Sequence, residues 1–225
     1  MKVVFCTPSL AGPTAPYIKA LEDSIPLIVG AGWEEGYAQE VGNPYISAAR
    51  SIMLRKALDA KADVIVFLDY DLSWDPQDLL TLIETPGDVV AGTYRFKKDA
   101  EEYMGSLFSN ERGTPLLRPD GCIKANTAPA GFLKVTKDAV HKFMDAYPHL
   151  MYGPRYSPSV DLFNHGAHNG AWWGEDYSFC RNWKDAGGEV WIVPNLNICH
   201  HSDTQEFKGN FHEFLTRQPG GSNAV

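Results

Sequence analysis

The segment Asp69-Tyr70-Asp71 stands directly after Val64 to Leu68, an unbroken apolar run. Such a run reads as a strand covered on both faces, and a carboxylate at its C-terminal end faces the crevice where α/β sheets bind ligands. In an extended chain residues two apart point the same way, so both carboxylates face that crevice. Two close carboxylates repel, and a shared proton or a divalent cation relieves the repulsion. A second acidic pair, Glu175-Asp176, follows Gly174 at the start of a helical pattern. Acids there serve as caps and as partners of the helix dipole, or as proton acceptors. His165 and His168 lie three residues apart in a stretch rich in Gly and Asn. No third ligand stands at a useful spacing for zinc, so the pair reads as polar loop contacts.

Positioning these residues requires particular elements. Lys2 to Thr7 reads as a buried strand, and Ser9 to Pro16 as the ligand-side loop after it. Pro26 to Val29 is a second strand candidate, followed by a connection punctuated by Gly and closed by Asn43-Pro44. Ile46, Ala49, Met53 and Ala57 recur at helical steps, predicting a helix to about Ala60. It feeds the strand Asp63 to Leu68. Asp75-Pro76-Gln77-Asp78 opens a helix by capping and dipole, and Pro86-Gly87 ends it. Asp88 to Tyr94 is the next strand, so the first half alternates strand and helix as layered α/β folds do. Residues 95 to 135 hold several short strand-like pieces. Thr136 opens a helix that Tyr147-Pro148 terminates, and Tyr152 to Gly174 reads as one long loop, a length usually associated with function. A helix over Asp176 to Ala186 and a strand over Glu189 to Val193 complete the pattern.

The chain has 225 residues, 44% of them apolar, enough for one domain with a substantial core. No apolar run approaches the roughly 20 residues of a membrane span, and Val3 to Cys6 is too short for a secretory leader, which predicts a cytoplasmic protein. Four scattered cysteines without a CxxC pair predict buried free thiols rather than a zinc knuckle or disulfide framework. The net charge of −8 argues against holding nucleic acid by bulk electrostatics. Residues 91–155 alone are basic, with ten Lys and Arg against seven Asp and Glu.

Phe67-Leu68-Asp69-Tyr70-Asp71-Leu72-Ser73-Trp74, with Pro76 and Leu79, resembles the DxD segment of GT-A glycosyltransferases of the family 2 type, including small phage-type nucleotide-sugar transferases. Other segments agree in order. Thr7-Pro8 resembles the strand-to-loop edge that holds the nucleotide base, and Asn43 to Arg50 the "ARN" helix start, with Ser51 where Asn is common. Trp173-Gly174-Glu175-Asp176-Tyr177 resembles the acceptor-side "GED" motif. Pro194 to His200 with Gly209 resembles the strand ending in a metal-binding histidine; His200-His201-Ser202 stands there, leaving both histidines as candidates.

The resemblance implies a GT-A, Rossmann-like α/β fold with a mixed, mostly parallel sheet flanked by helices. One catalytic domain is expected over residues 1–218, with a nucleotide-sugar half at 1–94, an acceptor half at 95–218 and a flexible tail at 219–225. It implies sugar transfer from a nucleotide diphosphate donor, a UDP-sugar, onto a hydroxyl of a glycan, a protein or a hydroxylated DNA base, in the host cytoplasm if the chain is phage-encoded. Asp71, Asp69 and His200 or His201 are the expected ligands of Mn2+ or Mg2+, which neutralises the leaving diphosphate without a proton. Thr7, Pro8, Asp69, Tyr70 and Arg50 are expected at the donor, Arg50 through a guanidinium fork that matches phosphate oxygens. Asp176, or Glu175, is the expected general base, and Trp172 and Trp173 offer stacking faces to the acceptor. A nucleotidyltransferase is the rival enzyme, but the loop after the first strand carries no Lys or Arg before Lys19. The non-enzymatic alternative is a carbohydrate-binding protein, which would not need Asp71 for metal-dependent stabilisation by a nucleotide sugar.

Overall fold

Val3 and Phe5 pack into one apolar cluster while Val4 and Cys6 pack into another, so the first strand is buried on both faces, as the continuous apolar run requires. In the computed structural model, which describes residues 1–111 and 113–218, this strand is β1 (Lys2–Ser9). It is followed by α1 (Ala15–Gly30), β2 (Glu34–Val41), α2 (Ile46–Asp59), β3 (Val64–Leu68), β4 (Leu72–Trp74), α3 (Pro76–Glu84) and β5 (Val89–Gly92). The chain continues through β6 (Ser106–Leu107), β7 (Ile123–Thr127), β8 (Phe132–Thr136), α4 (Lys137–Ala146), β9 (Met151–Tyr152) and β10 (Ser159–Val160). It ends with β11 (Gly166–His168), β12 (Ala171–Trp173), α5 (Glu175–Asp185), β13 (Val190–Val193), β14 (Asn197–His201), β15 (Glu206–Asn210) and α6 (Phe211–Arg217). The tail 219–225, expected to be flexible, lies outside the described residues.

Eight strands form one sheet in the order β2-β1-β3-β8-β5-β13-β7-β6. β1 pairs in parallel with β2 and β3, and β5 with β13, while β8 joins the two blocks by running antiparallel to both β3 and β5. β7 also runs against its neighbours, so the sheet is mixed and mostly parallel in direction. Tyr17, Ala20 and Ile28 of α1 join Leu79, Leu82 and Ile83 of α3 over one face. Met53 and Leu54 of α2, Phe143 of α4 and Trp183 of α5 cover the other. A small antiparallel sheet, β15-β14-β4, stands beside the large one, with Leu72 opposite His200 and Ser73 opposite Cys199.

Three expectations are corrected. Pro26 to Val29 is the last part of α1 and not a strand: Tyr17, Ala20, Ser24 and Ile28 are its buried positions, and this helical spacing overrides the local preference of Ile and Val. The second strand is instead Glu34–Val41, which the sequence presents as a connection because this edge strand is mostly exposed and acidic, with only Ala38 buried. The stretch 152–174 is not one irregular loop. It holds the hairpins β9-β10 and β11-β12, and between them Leu162 and Phe163 plug into the core. Asp75 precedes α3 as expected but makes no cap bond; it accepts from Asn197 Nδ2 at 2.9 Å, and Asp78 accepts from the Asn197 amide at 2.6 Å. Thr136 does cap α4, accepting from the Ala139 amide.

Candidate active site

β3 is buried along its whole length, and the chain turns as soon as it leaves the sheet: the Leu72 amide donates to the Asp69 carbonyl at 3.1 Å. Asp69-Tyr70-Asp71 is therefore a tight turn and not an extended strand end, and it gives the two carboxylates different surroundings. The turn is tied down by Thr14, whose amide and hydroxyl both donate to the Tyr70 carbonyl at 3.0 Å. Re-entry into β4 sets the distance to β14, and the His201 amide donates to the Asp71 carbonyl at 2.8 Å.

Asp69 faces inward. Its Oδ1 accepts from Arg50 Nη2 at 3.0 Å and its Oδ2 from the Tyr94 hydroxyl at 3.3 Å. Arg50, only 3% exposed, also donates Nη1 to the Ala130 carbonyl at 3.1 Å and lies 3.7 Å from Glu175 Oε1. Burial opposes its charge, and Asp69 followed by Glu175 holds the guanidinium ionised. Tyr94 is buried, which pushes its phenol far up and keeps it a hydrogen-bond donor to the carboxylate. Gly131 makes this packing possible: a Cβ there would stand 2.1 Å from the Tyr94 hydroxyl and 2.3 Å from Asp69 Oδ2.

Asp71 lines the same cavity as Asp69 but meets a partly exposed partner. Its Oδ2 takes the Lys97 ammonium in an ion pair and lies 3.5 Å from His200 Nε2. The other ring nitrogen, Nδ1, is 2.8 Å from the Arg95 carbonyl, which can only accept, so Nδ1 carries the hydrogen. In neutral His200 the Nε2 lone pair is therefore turned toward the carboxylate, the orientation that a second-sphere carbonyl gives a metal-binding imidazole. Burial works against ionisation of Asp71, while the adjacent Lys97 ammonium favours it, and its carboxyl lies below the usual range.

Arg50, Asp69, Asp71 and His200 share a cavity of about 320 Å³ whose wall also includes Pro8, Ser9, Asn43, Tyr70 and Glu175. A larger hollow of about 620 Å³ lies by β14, β15 and α6, with Arg95, Asn197 and Arg217 in its wall, but it joins neither acidic motif to a histidine. The smaller cavity is the one that brings both acidic motifs together with a histidine.

Not every expected residue faces it. Thr7 is buried, with its hydroxyl against that of Tyr17, and Pro8 rather than Thr7 lines the wall. Arg50 reaches the wall, but Asp69, Ala130 and Glu175 engage its guanidinium, so an open fork awaiting phosphate is not what stands there. His201 is on the opposite side of β14 from His200, with Nε2 2.7 Å from the Ser73 hydroxyl. Of the two histidines, His200 alone faces Asp71. Asp176 lies in the first turn of α5 with Oδ1 accepting from the Tyr177 amide at 2.8 Å, and burial, then the charge of Glu175, lifts its carboxyl to about 6. Trp172 is 72% exposed on β12, 5.8 Å from the His165 ring, whereas Trp173 is partly buried under Arg181. His165 and His168 contact these tryptophans. Among the described residues no three His, Cys, Asp or Glu side chains converge on one point.

Sequence reasoning passes over Tyr94 and Lys97, and reaches Ser9 and Asn43 only as members of the ligand-side loop and of the "ARN"-like segment. Tyr94 had a signal, since it follows the C-terminal end of a buried parallel strand; Lys97 had none in its local pattern.

No family model matches the chain, and no curated protein matches it. Its fold is similar to that of a crystal structure of GalNAc-T7 with UDP, GalNAc and Mn2+, with a TM-score of 0.51 and 12% identity over 89% of this chain and 43% of that one. S. aureus TarS 1-349 in complex with UDP-GlcNAc aligns with a TM-score of 0.46 and 12% identity, over 86% of this chain and 56% of that one. A glycosyltransferase involved in glycosylation of the major capsid of PBCV-1 aligns with a TM-score of 0.37 and 13% identity, over 65% of each chain. The chain thus spans less than two thirds of the length of these structures. Its mixed α/β architecture, a mostly parallel sheet flanked by helices, is the GT-A fold. No helix among the described residues is long and apolar enough to cross a membrane.

Proposed function

We propose that this chain transfers a sugar from a nucleoside diphosphate donor, a UDP-sugar, to an acceptor hydroxyl, with Mn2+ or Mg2+ held by Asp71 and His200. One observation carries the reading: Asp71 Oδ2 and His200 Nε2 face each other across 3.5 Å, at the C-terminal edge of β3, inside a cavity. Two donors on adjacent positions of an octahedral ion stand about 3 Å apart at ligand distances near 2.1 Å, so the pair needs little adjustment. Two protein donors leave positions for phosphate oxygens and water, the usual way such ions are held beside a nucleotide. When bound, the ion offsets the charge that grows on the departing diphosphate.

The chain's own groups divide the remaining work. Arg50, Asp69 and Tyr94 form a fixed floor, with Asp69 retaining lone pairs for the donor ribose or a bridging water. Pro8, Ser9, Asn43 and Tyr70 line the wall available to the nucleoside. Asp176 takes the acceptor hydroxyl's proton, since a carboxyl lifted to about 6 accepts a proton better than an ordinary aspartate and is still ionised at neutral pH. Glu175 holds the donor-side wall against Arg50. Trp172 presents an open face for the acceptor, a glycan, a protein hydroxyl or a hydroxylated base in DNA. The GalNAc-T7 structure, similar in fold, holds UDP, GalNAc and Mn2+. A cytoplasmic setting, the host's if the chain is phage-encoded, fits four cysteines that are all free and buried.

Screening a panel of nucleotide sugars with Mn2+ for slow donor hydrolysis tests this. One donor is expected to be hydrolysed, and Asp71→Asn to slow it by about 100-fold, the effect of losing about 2.7 kcal/mol of charge stabilisation. Hydrolysis unaffected by Asp71→Asn would remove the metal assignment.

A further inference from the structure

Lys97 occupies the one place where the metal reading requires another cation. Its ammonium rests on Asp71 Oδ2, the oxygen that also faces His200 Nε2, and all three groups are partly shielded from solvent. The arrangement is electrostatically consistent: a carboxylate and an imidazole lone pair turned toward each other repel unless a positive charge lies beside them. The position of the lysine is set by backbone. Arg95, two residues earlier, gives its carbonyl to His200 Nδ1, its guanidinium lies 5.9 Å from the centre of the Phe207 ring, and the Phe96 amide donates to the Glu102 carbonyl at 3.0 Å. One loop therefore orients the imidazole and supplies the ammonium. Lysine suits exchange, being a compact charge on a flexible four-carbon stem.

We propose that Lys97 is an exchangeable counterion of Asp71, which holds the cation position in the free protein and leaves it when a divalent ion arrives together with a diphosphate. The inference rests on the reading of Asp71 and His200 as ion ligands. A divalent ion and an ammonium repel each other strongly at one carboxylate oxygen, so the ion must displace the lysine. Without nucleotide the other carboxylates of the cavity, Asp69 and Glu175, are already engaged by Arg50. With a diphosphate present, phosphate oxygens receive the displaced charge. The ion and the nucleotide consequently bind cooperatively, and the free protein holds the ion weakly.

Electron paramagnetic resonance titration of Mn2+, with and without UDP, tests this on the full chain. Lys97→Met is expected to bind Mn2+ at least about tenfold more tightly than the wild type when UDP is absent. The gain in Mn2+ affinity that UDP confers is expected to shrink in Lys97→Met by a similar factor. Lys97→Arg, which keeps the charge, should stay with the wild type, and adding Asp71→Asn to either background should abolish binding. Equal Mn2+ affinity in wild type and Lys97→Met, or weaker binding in the variant, overturns the exchange while leaving the metal site standing. Absence of Mn2+ binding in every variant, with UDP bound by calorimetry, overturns the metal reading itself and the exchange with it.

Discussion

Asp69 and Asp71 are two residues apart, yet they belong to different kinds of site. Around Asp69 the contacts are buried and enclosed: guanidinium, phenol, carbonyl and a glycine that leaves no room for a methyl group. Around Asp71 they are an imidazole and an ammonium whose side chain is 34% exposed. The inner carboxylate is held in advance by buried groups, whereas the outer one is paired with a partly exposed lysine. Enclosure fixes the floor against which a substrate is oriented. The partly exposed Lys97 leaves room for a ligand to replace it.

The largest expected effect comes from breaking the inner set. Arg50→Leu strands Asp69 and Glu175 without their shared cation and should cost about 3 kcal/mol of stability, whereas Lys97→Met, on the outer set, should change it by less than about 1 kcal/mol. Urea denaturation of both variants measures the contrast directly. Gly131→Ala should come next, at about 2 kcal/mol, because Tyr94 is buried and cannot retreat from the added methyl. The loss should appear as a lower midpoint with an unchanged slope.

Asp176→Asn sharpens the comparison with opposite sign. The folded carboxyl sits near 6 against 3.8 for an unperturbed one, so the folded state resists losing this proton. Wild-type stability from this group is intact below the unfolded value and falls as pH rises from about 4 to 6. Asparagine keeps the oxygen that accepts from the Tyr177 amide and removes the titration. The variant should therefore gain about 1–3 kcal/mol at pH 7.5, with the gain vanishing near pH 4, while turnover drops and donor affinity stays close to wild type. A collapse of donor affinity would assign Asp176 to the architecture of the α5 start. The smallest stability effect belongs to Trp172→Ala, within about 0.5 kcal/mol because the ring is largely exposed. Its consequence should be a higher KM for the acceptor in steady-state assays, with donor hydrolysis unchanged.

Much of the α/β frame could be read from residue order. Val64 to Leu68 is apolar at every position because both faces of β3 are covered, and α2 announces itself through Ala49, Met53 and Ala57. The edge strand Glu34–Val41 escaped because an edge in contact with solvent needs no apolar alternation, and its charged residues resemble a loop. Pro26 misled because its effect depends on position: near the end of α1 it disturbs only the last turns. At the site, sequence brought Asp71, His200, Glu175 and Arg50 to one cavity. It could not separate His200 from His201, since that choice depends on the register in which β14 meets β4. Nor could it place Lys97, whose approach to Asp71 is a matter of how one loop folds back across 26 positions.

The four cysteines have a practical consequence. All are buried; Cys6 and Cys180 sit wholly inside the core, and burial lifts the Cys180 thiol to about 12 and that of Cys122 to about 11. Thiolate is the reactive form, so the native molecule should be almost inert to alkylating reagents. The rate at which label enters would then clock the opening of the molecule itself, a gauge of cooperative unfolding present without any engineered probe.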